Sequence, residues 1–219
     1  MSVVLLVRHG QASFGAEHYD RLSALGEEQS RLLGASLAAR GMRPEVVLRG
    51  SMTRHRQSAS AAVAGAGWDN DVLEDAGWDE FDHLTTLTGT LASQDFAGAP
   101  YDEQVRRVEA GIGRWAAGSH DDEYRESFPT FQARVAQALS RLLDGLGARQ
   151  TAVVFTSGGP VSWVTASLVD GGVPAWRRLS RVVVNSGVTK VVTGRRGTNL
   201  VSFNDHSHVD HDAALITYR

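Results

Sequence analysis

Val3-Val4-Leu5-Leu6-Val7-Arg8-His9-Gly10-Gln11 is the stretch that decides the fold. Its unbroken run of valine and leucine reads as a strand of a parallel sheet, buried on both faces. The strand delivers Arg8, His9 and Gly10 together at its carboxyl end, where open α/β sheets gather their ligands. A guanidinium fork matches phosphate or carboxylate, and a neighbouring imidazole is a competent nucleophile toward phosphorus. Gly10 reads as a place where the backbone can approach a ligand closely.

Working outward, Gln11–Arg21 is loop-like. A helix is expected over about Leu25–Arg40, capped by Ser23 and stopped by Gly41. Val46–Arg49 reads as a second strand, and a helix from near Thr53 to about Ala64 follows it. Val72–Glu74 is a short third strand, and Asp79–Pro100 is loop and cap. Helices are expected at Tyr101–Ala117 and about Thr130–Leu146. Thr151–Thr156 is a near-continuous apolar strand, after which Gly158-Gly159-Pro160 opens a helix to about Val169. Val182–Val184, Val188–Thr193 and Leu200–Phe203 read as late strands, the last two forming a hairpin across Gly194–Gly197. This alternation is that of a layered α/β fold with a mostly parallel sheet.

The totals narrow the classes. The 219 residues suit one domain, 1–219, with an inserted cap. A net charge of −3 gives no electrostatic case for nucleic-acid binding. The chain has no cysteine, which excludes disulfides, zinc ribbons and a cysteine nucleophile and fits a reducing, cytoplasmic setting. No apolar run approaches the roughly 18 residues of a membrane span, and the N-terminal run lacks the basic leader of a signal peptide. The Gly and Ala load of Ala59–Gly67 reads as compositional bias.

Further chemistry-bearing residues fall where strands end. Arg54 and Arg56 open the second helix, where an arginine adds to the anion attraction of a helix start; Arg56 reads as solvated. Glu80 follows the third strand between Trp78 and Phe81, surroundings that favour a protonated carboxyl of the kind a general acid needs. Glu74, Asp75 and Asp82 compete for that role. The tryptophans Trp68, Trp78, Trp115, Trp163 and Trp176 read as packing residues.

Together these residues resemble the histidine phosphatase superfamily, which includes cofactor-dependent phosphoglycerate mutase. Leu6-Val7-Arg8-His9-Gly10-Gln11 is similar to its Arg-His-Gly box. Leu22-Ser23-Ala24-Leu25-Gly26 resembles its Leu-Thr/Ser-x-x-Gly helix entry. Arg54-His55-Arg56-Gln57-Ser58-Ala59 resembles Arg-Ala-x-Gln-Thr-Ala, and Trp78-Asp79-Glu80-Phe81-Asp82 resembles Leu-x-Glu-Ile-Asp. Asn185–Thr189 and Phe203–His208 resemble the last strands. The resemblance implies a three-layer α/β/α fold, a mostly parallel central sheet and a small helical cap over about residues 80–128. It also implies phosphomonoester hydrolysis through a phosphohistidine, with no metal and no cofactor. Arg8 and Arg54 would hold the phosphoryl oxygens with Ser157 and Gly158. His9 would attack phosphorus, Glu80 would protonate the leaving alcohol, and Gln11, Ser13 and Glu126 would contact the substrate.

One position departs from the pattern. The family ends its fourth strand in Ser-His-Gly-Gly, whereas this chain reads Thr156-Ser157-Gly158-Gly159. A neutral hydroxyl replaces a cationic donor, a loss of about 1.5–3 kcal/mol or roughly ten- to a hundredfold in rate. The amides of Gly158 and Gly159 are expected to face the phosphate, and His83 is a candidate replacement for the missing histidine. Three readings stay open: a phosphatase, a mutase-like phosphotransferase, and a phosphate-binding module with weak or no turnover. The partner is a small phosphorylated substrate or a phosphoprotein, with no nucleic acid and no membrane; oligomeric state is not legible. His206-Ser207-His208-Val209-Asp210-His211 looks like the zinc motif of the metallo-β-lactamase fold. Only Asp212 follows as a further ligand, so His208 reads better as a structural or rim residue.

Overall fold

The computed structural model describes residues 1–13, 20–81 and 98–218, with the side chain of Tyr101 left out. Six strands form one sheet in the order β3-β2-β4-β1-β5-β6. They are β1 (Ser2–Arg8), β2 (Val46–Arg49), β3 (Val72–Glu74), β4 (Thr151–Thr156), β5 (Val188–Gly194) and β6 (Gly197–Asp205). β1 lies parallel to β4, which lies parallel to β2, which lies parallel to β3. β5 and β6 close one side as an antiparallel hairpin.

Strand alternation sorts the core into two faces. Leu5 and Val7 of β1 face Leu33, Leu37, Ala59, Ala62 and Phe155. That layer is α1 (Ala24–Ala39) and α2 (Thr53–Ala66). Val4 and Leu6 face the other way, into a core with Trp78, Phe81, Trp115, Phe131 and Trp176. This second layer is built by α3 (Tyr101–Ala116), α4 (Phe128–Gly145), α5 (Gly158–Leu168) and α6 (Gly172–Leu179). Helices on both faces of a mostly parallel sheet make the three-layer α/β/α architecture.

Local chemistry explains most boundaries. Ser23 caps α1, its Oγ accepting from Gly26 N at 3.1 Å, and Gly41 ends the helix region at φ 76°. Ser127 caps α4, which carries a proline in its first turn. The small residues of α2 are not mere bias. α1 and α2 pack nearly backbone to backbone, with a Cβ on Gly34 falling 1.9 Å from the Ala62 carbonyl oxygen.

One expectation is corrected and one element is added. Val182–Val184 is not a strand. Its backbone is held by side chains: Asn204 Oδ1 accepts from Val184 N at 2.8 Å, Asn204 Nδ2 donates to Val182 O at 2.7 Å, and Arg8 donates to Val183 O. α6 went unread because an eight-residue element is too short to display a period. The cap expected over about 80–128 falls partly on residues 82–97, outside the described residues, as do Asp82 and His83. No helix among the described residues is long and apolar enough to cross a membrane.

Candidate functional site

The carboxyl ends of β1 and β4 lie side by side, with Arg8 paired to Thr156. The residues that follow, His9 and Ser157, are therefore neighbours at the head of the sheet. His9 N donates to Thr156 O at 2.8 Å, and the His9 carbonyl accepts from Asn185 Nδ2 at 3.1 Å and Ser186 N at 3.2 Å. The His9 ring is buried, and its Nδ1 donates to Gly10 O at 2.7 Å. A carbonyl only accepts, so Nδ1 carries the proton and Nε2 keeps its lone pair. Burial holds the His9 pKa well below 6.5, reinforced by the charges of Arg54, Arg8 and His55. The imidazole is neutral at physiological pH, the form a nucleophile requires.

Gly10 makes a close backbone approach within the fold. A Cβ there would lie 2.1 Å from the Gly26 carbonyl oxygen, so the close approach is to the start of α1. Gly10 N also donates to Ser58 Oγ of α2 at 2.9 Å. Gln11 and Ser13 pair with the chain entering α1. Gln11 Oε1 accepts from Ser23 Oγ at 2.8 Å, and Ser13 Oγ donates to Leu22 O at 3.1 Å.

Arg54 sits in the first turn of α2, 3% exposed, and its Nη1 holds Asp20 Oδ1 at 2.8 Å. The other oxygen of Asp20 accepts from Thr53 N at 2.8 Å, so one carboxylate caps the helix and orients the arginine. Arg56 is exposed, as read. On the opposite side Gly158 packs under Arg8, a Cβ there lying 3.7 Å from Arg8 Nε.

Glu80 is docked on the start of α5, where its Oε2 accepts from Gly159 N at 3.0 Å. The Gly159 amide, expected to face a phosphate, is thus occupied by Glu80. A Cβ on residue 159 would meet Glu80 Oε1 at 2.0 Å, so only glycine leaves room. On the acid role that the resemblance implies for Glu80, Gly159→Ala should displace its carboxyl and cut phosphate release by on the order of a hundredfold while sulfate affinity stays near wild type, read by kcat against calorimetric binding. Glu126 reaches the site indirectly. Both its oxygens are taken by Arg134, at 2.6 and 3.0 Å, and Arg134 Nη1 braces the Gly77 and Asp79 carbonyls ahead of Glu80.

Ser157 is fully buried at the N-cap of α5. Its Oγ lies 2.7 Å from Nε2 of His55, another fully buried side chain. The rings of His55 and His9 are 5.8 Å apart. His55 was passed over in the sequence because it fills an alanine position of the motif. The usable signal was its spacing, since His55, Ser58, Ala59 and Ala62 form the buried stripe of α2.

Among the described residues no group of three or more His, Cys, Asp or Glu could hold a metal ion. Two of the three histidines of the zinc-like motif face different partners: His206 pairs with Asn204 O and Asp210, and His208 with Ser186 Oγ at 2.7 Å. Burial pushes His208 down from 6.5 to about 4, and it lowers His9 and His55 as well. Each of the three rings binds a proton more readily in the unfolded chain. Their stabilisation is full above about pH 6.5 and is lost as pH falls. For His208 the loss nears completion around pH 4 and is on the order of 3 kcal/mol. Thermal midpoints measured from pH 7 to 4.5 should drop steadily, and His208→Gln should flatten the slope.

The comparisons agree with this geometry. Residues 4–206 match the family model described as histidine phosphatase superfamily (branch 1). A search of curated proteins finds no match. Among solved structures, YhfR of Bacillus stearothermophilus superposes with TM-score 0.71 at 18% identity, covering 96% of this chain and 100% of that one. A phosphoserine phosphatase mutant of Entamoeba histolytica, in complex with phosphoserine, gives 0.69 at 18% identity, covering 95% and 100%. A mycobacterial glucosyl-3-phosphoglycerate phosphatase gives 0.64 at 20% identity, covering 92% and 98%. With the family model spanning nearly the whole chain and the Arg-His-Gly strand end at the head of the sheet, this protein belongs to the histidine phosphatase superfamily.

Proposed function

We propose that the chain binds a phosphomonoester, on a small molecule or a protein side chain, at the head of β1 and β4, and turns it over weakly through His9. The observation that carries this reading is a buried neutral imidazole in the field of two arginines, with Nε2 as its basic nitrogen. Arg8 and Arg54 hold the phosphoryl oxygens, with Ser157 and Gly158 beside them. His9 Nε2 attacks phosphorus as the P–O bond to the alcohol breaks. Glu80 gives the departing oxygen its proton and then takes one from the attacking water. Ser157 is the reason for weak turnover: a hydroxyl offers the transition state less than a cationic donor does, by roughly ten- to a hundredfold. A binding module without turnover is the limit of the same substitution. Gln11, Ser13 and the cap over about residues 80–128 are proposed to meet the remainder of the ligand.

Free phosphate release and labelled phosphoenzyme should be followed on a panel headed by phosphoserine and 3-phosphoglyceric acid, the ligands named with similar structures. Slow release with acid-labile label on His9 supports the enzyme. Tight binding with no release supports the module, and label transferred to an added alcohol supports a mutase. Failure to bind any phosphoester or inorganic anion would overturn the reading.

A further inference from the structure

The site contains a buried titratable group that the reaction above leaves idle. His55 Nε2 is 2.7 Å from Ser157 Oγ. His55 Nδ1 is 3.7 Å from Asp79 Oδ1 and makes no hydrogen bond. Asp79 is itself held by Ser51, through the amide at 2.6 Å and through the hydroxyl. The charged groups around His55 pull in opposite directions. Burial and Arg54 favour the neutral ring, while Asp79 and Glu80 favour the imidazolium. Among the described residues the ring of His9 lies beside it, and it is neutral.

We propose that His55 is the second histidine of this site, a positioning residue that takes up a proton when a phosphoryl group enters and presents its charge through the Ser157 hydroxyl. This inference rests on the phosphate-site reading above. In the resting ring the proton lies on Nδ1, toward Asp79, and Nε2 accepts from Ser157. An incoming dianion adds negative charge beside the ring, in buried surroundings where a charge acts more strongly than in water. A proton from solvent then moves onto Nε2. Ser157 Oγ now accepts from Nε2–H, and its own O–H turns to a phosphoryl oxygen. No bond to carbon or phosphorus changes, and Asp79, His55, Ser157 and the ligand form one polarised chain. A cationic donor lost at position 157 is thereby supplied from α2, at one remove and only when an anion is bound.

The test is sulfate binding at pH 7 by calorimetry in buffers of different ionisation enthalpy, because sulfate stays dianionic and brings no proton change of its own. Wild type should take up close to one proton per sulfate. His9→Gln should retain that uptake. His55→Gln, whose amide can hydrogen-bond Ser157 but cannot ionise, should abolish it and weaken sulfate about tenfold. Ser157→Ala, which removes the relay without disturbing His55 burial, should reduce the uptake as well. The double variant His55→Ala with Ser157→His, which moves the imidazole to the ligand directly, should restore affinity toward wild type. Binding without proton uptake in wild type, or uptake unchanged in His55→Gln, would overturn this inference alone. No sulfate binding by wild type would overturn the site reading with it.

Discussion

His9→Ala should lose phosphate release by at least about a thousandfold, to the assay floor, while keeping its fold and its affinity for sulfate. Turnover falls because Nε2 of His9 is the nitrogen that would bond phosphorus, and the imidazole beside it is held elsewhere. His55 is engaged at Nε2 by Ser157. Affinity survives because the cationic groups are Arg8 and Arg54, and Arg54 is set by Asp20 and the start of α2. The fold survives because the bonds that fix this strand end go to the His9 backbone, from Asn185 and Ser186. Quenched phosphate assays with circular dichroism and sulfate calorimetry read all three. In wild type the acidic limb of kcat/KM should lie well below pH 6.5, since His9 must be protonated to lose its nucleophilicity and burial with two arginines opposes that.

Trp115→Ala should be strongly destabilising, at about 3–5 kcal/mol. The indole is fully buried, stacked on Phe81 at 4.6 Å and edge-on to Phe128 at 4.9 Å. Its Nε1 also donates to Glu126 O at 2.7 Å. Alanine therefore leaves a large void and a carbonyl without its donor. Set against the 5–15 kcal/mol typical of a domain, the loss should be plain in urea melts. Trp115→Phe keeps part of the ring contacts and loses the hydrogen bond with some volume, so a smaller cost of about 1–3 kcal/mol is expected. Phe81 follows Glu80 directly, so the alanine variant should also slow turnover, with the phenylalanine variant affected less.

Much of the fold was legible because its signals are local. β2, β3 and β4 fall on the residues their apolar runs mark, and α1 begins at the serine that caps it. Where the signal was not local the reading failed. Val182–Val184 has the composition of a strand, but its backbone bonds run to local turns and to the side chains of Asn204 and Arg8, distant in sequence, rather than to a neighbouring strand. The helix density of Ala59–Gly67 looked like bias until α1 was seen packed against it.

The site divides in the same way. Arg8, His9 and Arg54 could be picked from the sequence alone, because a strand end and a helix start announce where ligands and anions go, and residue type says what chemistry they bring. The sequence also declared its own anomaly, a serine where a histidine belongs. Only the tertiary structure brought His55 to that serine from 102 positions away, turned Glu80 onto the Gly159 amide and spent Glu126 on Arg134. Periodicity tells which face of an element is buried; what it is buried against depends on how the layers close over the sheet, which no local pattern encodes.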